Sequence, residues 1–170
     1  AIFLARSGEP APGSIVTVTR DGRRSLLVEL QALVDRMRFG APRRVAQGLD
    51  AQRLAMLLAV LTRHGGVSLQ EHDVFVNLVG GLEVSETACD LPVALGLAGS
   101  LADKPIAKSL VAFGFIDTVS PPFGILAAFN QIQGPKEAVP MPDSDHNNIS
   151  PQQEGGYIIR SREALESLRK

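Results

Sequence analysis

Two strand-like runs joined by a tight-turn signal constrain the fold of this chain more than any other feature. Residues 14–20 carry β-branched side chains with a period of two, and Asp21 and Gly22 follow them directly. An Asp-Gly pair favours a two-residue hairpin turn, because both residues tolerate the positive φ angles that such a turn requires. Residues 25–34 then supply a second apolar run. The sequence therefore predicts a β-hairpin.

A helix is predicted after the hairpin, over residues 51–64. Its apolar side chains recur at helical spacing, at Leu54, Leu57, Leu58 and Leu61. Asp50 is well placed to cap the N-terminus, because its carboxylate can accept a backbone N–H of the first turn. Glycines at positions 65 and 66 end the helix. Residues 43–48, just ahead of it, fit a further strand.

A fourth strand and a second helix are predicted over residues 72–79 and 88–101. A pair of glycines closes the strand at a turn. Proline is tolerated in the first turn of a helix, where its missing N–H has no intrahelical partner to lose. Pro92 therefore places the start of this helix close to Cys89 or Asp90.

The last third of the chain gives weaker patterns. Residues 140–156 are rich in Pro, Asp, Asn, Ser, Gln and Gly, a composition typical of a long, flexible loop. The other predicted elements there are strands at 109–115, 136–139 and 157–159, an ambiguous tract at 119–134 and an amphipathic helix at 162–170.

Composition predicts a soluble globular domain. With 170 residues, 45% of them hydrophobic, the chain can form one domain with a core, and no apolar run approaches membrane-spanning length. The single cysteine, Cys89, cannot form an internal disulfide, so a reducing, cytoplasmic setting is expected. Because the chain begins at Ala1, without an initiator Met or a signal peptide, we expect a piece of a longer protein.

Charge is distributed unevenly along the chain. Residues 1–70 carry ten arginines against five acidic residues, a balance of +5, whereas the remainder carries seven basic and thirteen acidic residues, a balance of −6. Such asymmetry indicates a surface that faces a polyanion, or complementary surfaces between neighbouring subunits. An ordinary solvated surface is the alternative.

Seven of the arginines form two groups beside predicted turns. Arg20, Arg23 and Arg24 surround the hairpin turn, and Arg36, Arg38, Arg43 and Arg44 lie on and beside the next loop. Exposed arginines in such places suit contacts with phosphates, so these seven are the candidate DNA-binding residues. Aromatic residues other than Phe39 are not interleaved, so base stacking is expected to be weak and binding to be non-specific and sensitive to salt. An acidic surface of an adjacent subunit is the alternative partner.

Five segments carry a resemblance to a known family, at residues 12–18, 26–34, 39–50, 53–61 and 73–77. In this order they are similar to the C-terminal Lon-protease-like domain of the bacterial RadA (Sms) DNA repair family, over residues 1–114. The resemblance implies an α+β fold of the Lon protease proteolytic-domain-like, ribosomal protein S5 domain 2-like type, with a mixed sheet and packed helices. We expect a single domain over residues 1–170, with 115–170 divergent.

The resemblance also implies a biological setting. RadA proteins join a zinc-binding motif and a RecA-like ATPase core to this domain, form hexameric rings, bind DNA and drive branch migration in recombinational repair. The present chain contains neither a Gly-rich phosphate loop ending in Lys-Ser or Lys-Thr nor a Cys-x-x-Cys pair. ATP, magnesium and zinc are therefore expected for the parent protein, upstream, and no cofactor is expected in this domain. The implied partners are DNA, the ATPase core and further copies of the chain.

Proteolytic chemistry is not expected. Residues 83–95 resemble the helix start that carries the serine of Lon-type proteases, but Ala88 stands at the serine position. The lysine base would come from the segment between Lys108 and Lys136, which contains no lysine. Both groups are needed to activate the nucleophile, so the resemblance implies a pseudo-protease domain. Two alternatives stay open: a residual peptidase with Cys89 as a conceivable nucleophile, and the Lon-like domain of a ComM-type magnesium-chelatase-like ATPase.

Overall fold

A computed structural model describes residues 2–3, 10–21, 24–85, 87–106, 109–114, 130, 136–141, 159 and 163. Its strands are β1 (Ile2–Phe3), β2 (Ser14–Asp21), β3 (Arg24–Arg36), β4 (Arg44–Gln47), β5 (His72–Leu78), β6 (Ser109–Gly114) and β7 (Lys136–Met141). Its helical elements are α1 (Ala51–Val60), a π-helical turn (Leu61–Gly65), a 3₁₀ turn (Thr87–Cys89) and α2 (Asp90–Leu101).

The long strand β3 lies at the centre of a mixed five-stranded sheet. On one side, β2 pairs antiparallel with residues 24–31 of β3. On the other side, β1 pairs in parallel with residues 27–28, and β5 pairs antiparallel with residues 30–36. β4 extends the sheet beyond β5 and is parallel to it. The sheet order therefore places β5 between the two strands that the loop at residues 37–43 connects.

The predicted hairpin is confirmed. β2 and β3 pair continuously from Ser14↔Gln31 to Asp21↔Arg24, so the chain reverses between Asp21 and Arg24, and Asp21 is itself the last residue of β2. Gly22 and Arg23 themselves lie outside the described residues. The strands predicted at 43–48, 72–79, 109–115 and 136–139 are also present as β4, β5, β6 and β7.

One face of the five-stranded sheet carries the core. Leu30, Ala32 and Val34 of β3 lie opposite Leu78, Val76 and Val74 of β5, and all six are buried. Side chains of α1 and α2 belong to the same apolar cluster. Gly96 lets α2 approach β3 closely, because a Cβ there would lie 3.2 Å from Leu30 Cδ2 and 3.3 Å from Ala32 Cβ. Full burial of each large aliphatic side chain contributes about 1.5–3 kcal/mol.

The first helix begins as predicted and ends differently. The Asp50 carboxylate accepts the Arg53 backbone N–H at 2.8 Å, which confirms the cap. The α-helix stops at Val60, and the last predicted turn is π-helical. There the Thr62 hydroxyl donates to the Leu58 carbonyl at 2.8 Å, a contact that competes with the backbone and bends helices. Gly66 then closes the turn with a φ of 64°.

The second helix also begins where the proline predicts. The 3₁₀ turn leads directly into α2 at Asp90, so Pro92 is the third helical residue and lies in the first turn. In that position its missing N–H removes no intrahelical hydrogen bond.

The fold-class prediction needs correction in the last third of the chain. The α+β class, a mixed sheet with packed helices, describes the five-stranded part. The prediction of one sheet is wrong for β6 and β7, because they pair with each other in parallel and form a second, two-stranded sheet. Pro140 and Met141 belong to β7, so the predicted flexible loop cannot begin at residue 140.

The strand predicted at 157–159 is wrong at the residue that is described. Ile159 is helical, as is Glu163 within the predicted helix 162–170. A short apolar run does not distinguish strand from helix by its periodicity, which explains the error. All of residues 142–158 lie outside the described residues, as do residues 119–134 apart from Asn130.

Candidate nucleic-acid interface

The loop at residues 37–43, here called the arginine loop, crosses the start of β5. β3 reaches it through the pair Arg36↔His72, and β4 leaves it through the parallel pair Arg44↔Val74. The Met37 N–H donates to the Glu71 carbonyl at 2.9 Å, and the Arg43 carbonyl accepts the Val74 N–H at 2.9 Å. Both ends of the loop are therefore held by the backbone around β5.

Arg43 holds the second end of the loop more tightly through Asp73. Its backbone N–H donates to Asp73 Oδ1 at 2.8 Å, while Nε and Nη2 donate to Oδ2 at 2.9 and 2.6 Å. These hydrogen bonds hold the pKa of the Asp73 carboxyl below its usual range and raise the pKa of Arg43. The guanidinium carbon also lies 5.3 Å from the centre of the Phe75 ring, a cation–π distance.

Arg44 contacts backbone carbonyls only. Its Nη1 donates to the carbonyls of His72 and, at 3.1 Å, Arg43, and its Nη2 donates to the carbonyl of Leu69 at 2.6 Å. The guanidinium thus joins the start of β4 to the turn before β5. Arg43 and Arg44, here called the anchored pair, both stabilise the loop base.

Arg36 and Arg38, here called the exposed pair, behave differently. Both residues are exposed, and neither guanidinium contacts an acidic side chain or a carbonyl within the described part of the chain. Between them and the anchored pair lies Phe39, which is 93% exposed. Of the four arginines in and beside the arginine loop, Arg36 and Arg38 can therefore bind a polyanion without breaking a contact of the fold.

The hairpin arginines lie far from the arginine loop. Arg24 and Arg36 are the first and last of the 13 residues of β3, which at about 3.3 Å per residue puts them roughly 40 Å apart. Arg20 pairs with Ser25 near the same end as Arg24, and Arg23 lies outside the described residues. The backbone thus places Arg20 and Arg24 at the opposite end of β3 from the arginine loop.

The start of α2 forms part of the core. Ala88, the residue at the lost serine position, lies in the 3₁₀ turn, and the neighbouring Cys89 is fully buried in the main apolar cluster. A thiol in this position behaves as a small core side chain, and no substrate can reach it without a rearrangement of the core.

Arg53 is a residue whose role the sequence pattern did not reveal. Its Nε donates to Asp90 Oδ1 at 2.6 Å and its Nη1 to the Ser85 carbonyl at 2.5 Å. The hydrogen bond that Arg53 donates to Asp90 raises the pKa of Arg53. The contact joins α1 to the start of α2, and a separation of 37 residues leaves no local signal for it.

Known proteins match the chain over most of its length. The DNA repair protein RadA of Salmonella typhimurium is 54% identical over 114 residues, which is 67% of this chain and 25% of that protein. The Escherichia coli protein gives the same values, and that of Brucella abortus is 41% identical over 137 residues, 81% of this chain and 29% of that protein.

The matched part of this chain belongs to the RadA family. The identity is far above the level at which chance similarity occurs, and it extends through several relatives of the same name. The chain spans about a quarter of the length of the curated RadA proteins that it matches.

Two other comparisons concern the fold. The family model that matches is that of acetyl xylan esterase (AXE1), over residues 98–159. A solved structure described as an α-β serine hydrolase homologue from Coxiella burnetii is 15% identical, with a TM-score of 0.26, and covers 89% of this chain and 95% of that one. That TM-score is too low to assign a shared fold.

These findings correct the Lon-protease-like part of the predicted fold class. The family model that matches, over residues 98–159, is that of an esterase, so the Lon type is not what the family comparison gives. The coarser class, a mixed sheet with packed helices, is what the structure shows.

Among the described residues, no helix is both long and apolar enough to cross a bilayer. The same residues contain no group of three or more His, Cys, Asp or Glu side chains arranged to hold a metal ion.

Proposed function

We propose that this chain is a non-catalytic scaffold and DNA-contacting domain of a RadA-type repair ATPase that acts in recombinational repair and branch migration. The identity to RadA over two thirds of the chain carries the proposal. The arginine loop supports the DNA contact, because it combines a fixed base with an exposed pair of guanidinium groups. Arginine is suited to this role, since its planar fork binds phosphate oxygens through two hydrogen bonds.

The proposed contact is to the phosphate backbone. The guanidinium groups of Arg36 and Arg38 have no protein partner among the described residues, so binding phosphate would break no contact of the fold. Contacts of this kind carry no base sequence information and weaken as salt rises, because binding releases condensed counterions. The hairpin arginines provide a second contact point at the other end of β3.

The absence of catalysis in this domain is part of the proposal. Ala88 has no nucleophilic atom, and the thiol of Cys89 is enclosed by the core. For the residual peptidase, burial of Cys89 removes the only thiol from reach of a substrate. For an esterase, the sequence contains no Gly-x-Ser-x-Gly run of the kind that presents the serine of α/β hydrolases.

In the parent protein we propose an upstream RecA-like core that binds ATP and magnesium, a zinc motif, assembly into a hexamer and a cytoplasmic location. These proposals follow from what the resemblance of the sequence to the RadA family implies. A scaffold domain in a ring would place one arginine loop per subunit around the DNA. The weak contacts of the single loops would then act together and give a higher overall affinity.

The test measures binding of the chain to a fluorescein-labelled duplex by fluorescence anisotropy, at low and at high salt. We expect binding at low salt that weakens at high salt, and a weaker affinity for the double variant Arg36→Ala, Arg38→Ala. Arg63→Ala is the matched control, since Arg63 is also an exposed arginine but lies on the π-helical turn. If the double variant binds no more weakly than the control, the exposed pair does not contact DNA.

A further inference from the structure

Phe39 is the most exposed large apolar residue of the described part of the chain. Its exposed fraction is 93%, compared with 66% for Met56 and 57% for Leu33. An aromatic ring in water is unfavourable, and a ring that packs on nothing contributes nothing to folding. A single exposed apolar residue is common on protein surfaces. The position of this one, and the charges beside it, distinguish it from the others.

The arginine loop presents Phe39 from a fixed base. Met37 is bound to the Glu71 carbonyl, and Arg43 is clamped by three hydrogen bonds to Asp73. Between these two anchors the chain is open: Gly40 has a φ of +79°, and a Cβ added there would meet nothing within 4 Å. Because the Phe39 side chain is 93% exposed, its ring is accessible to a flat ligand.

The charge around Phe39 favours an anionic ligand. Residues 35–44 contain four arginines and one acidic residue, Asp35. The Asp35 carboxylate accepts the backbone N–H of Arg36 at 2.8 Å, and Asp73 is occupied by Arg43. Glu71 is the other exposed acid beside the loop. The guanidinium groups of Arg36 and Arg38 on the N-terminal side of the ring, together with the anchored pair on the C-terminal side, leave a net positive surface.

We propose that Phe39 stacks on an unpaired base of single-stranded DNA while Arg36 and Arg38 bind the neighbouring phosphates. An aromatic ring between cationic side chains is the combination that binds single strands without sequence preference, because every base offers a flat face. In a duplex both faces of each base are covered by its neighbours, so the ring finds no free face there. This inference rests on the proposed function, and it adds the preferred DNA structure.

The first measurement uses a tryptophan as a reporter. The chain contains no Trp, so Phe39→Trp creates a single indole at the proposed contact. We expect its fluorescence to be quenched by a short oligothymidine and to change little with a duplex of the same length. Met56→Trp is the matched control, because Met56 is exposed on α1 and lies outside the arginine loop. Equal quenching in both variants, or none in Phe39→Trp while the strand is bound, would overturn the stacking.

The second measurement compares ring and non-ring side chains at the same position. We expect Phe39→Leu to reduce affinity for the oligothymidine about ten-fold, the effect of losing one stacked base, and Phe39→Trp to retain it. An affinity unchanged in Phe39→Leu contradicts the inference, yet it leaves the phosphate contact of the exposed pair standing. If the wild-type chain binds neither single-stranded nor duplex DNA, the proposed function fails as well.

A protein partner gives a separate result. If Phe39 packs against a second copy of the chain, the emission of Phe39→Trp shifts to shorter wavelength as protein concentration rises, without any DNA. That outcome overturns the proposal, because the ring would then be covered and could not receive a base.

Discussion

The anchored pair and the exposed pair are separated by only a few residues, and they differ in what they touch. The guanidinium groups of Arg43 and Arg44 bind a carboxylate and three backbone carbonyls, whereas those of Arg36 and Arg38 make no contact within the described part of the chain. The difference arises from the sheet. Because β4 runs beside β5, Arg44 lies against the turn before β5 and Arg43 lies against Asp73 of β5. An arginine cluster in a sequence therefore contains residues that build the loop as well as residues that the loop presents.

The two glycines that flank β4 give the largest expected contrast. Gly48 has a φ of +76°, and a Cβ there would lie 2.4 Å from the Leu82 carbonyl oxygen and 2.8 Å from Leu78 Cβ. Gly40, in the arginine loop, has a similar φ but no neighbour within 4 Å. We expect Gly48→Ala to lower the free energy of unfolding by more than about 3 kcal/mol, and Gly40→Ala by about 1 kcal/mol. Urea denaturation measures both, and equal losses would contradict the assignment of the loop as open.

Substitutions in the two arginine pairs should change the free energy of unfolding by different amounts, and this difference should be smaller than that between the two glycines. Arg44→Ala removes three hydrogen bonds from the loop base, so we expect a loss of about 1–2 kcal/mol, reduced by the exposure of the side chain. Arg36→Ala removes no contact of the guanidinium group and should stay within about 0.5 kcal/mol of the wild type. Urea denaturation curves of the two Arg→Ala variants, whose residues flank the same loop, measure this difference. Similar midpoints would mean that Arg44 is not an anchor.

The ion pair at the loop base should show a pH dependence. The pKa of Asp73 is lowered in the folded chain, so its contribution is present above the unfolded value of 3.8 and is lost as pH falls through the folded value. Asp73→Asn keeps an acceptor for the Arg43 N–H and removes the charge. We therefore expect the thermal midpoint of the wild type to exceed that of the variant at neutral pH, with a gap that narrows below pH 3.8. A gap that is constant with pH would assign the effect to packing.

Features set by neighbouring residues could be predicted from the sequence. The two β-branched and apolar runs around Asp21 and Gly22 predicted the hairpin. Asp50 predicted the start of α1, and Pro92 limited where α2 could begin. Each of these signals acts within one or two turns of the chain, where φ angles and backbone N–H groups have few alternatives.

Features that depend on distant residues could not be predicted. Arg43 meets Asp73 across 30 residues and Arg44 meets His72 across 28, so the sequence alone grouped them with Arg36 and Arg38. The same limit applies to β6 and β7, whose pairing with each other creates the separate sheet. The family resemblance identified RadA, but the Lon-protease-like fold inferred from it was wrong, because the family model that matches is that of an esterase.

The salt dependence of DNA binding tests the central claim most directly. The logarithm of the binding constant falls linearly with the logarithm of salt concentration, with a slope of about −0.9 per phosphate contact on duplex DNA. We predict that replacing both members of the exposed pair, Arg36→Ala and Arg38→Ala, makes this slope less steep by about two contacts, while Arg63→Ala leaves it nearly unchanged. Parallel lines for the wild type and the double variant would show that the exposed pair does not bind phosphate, and would contradict the account.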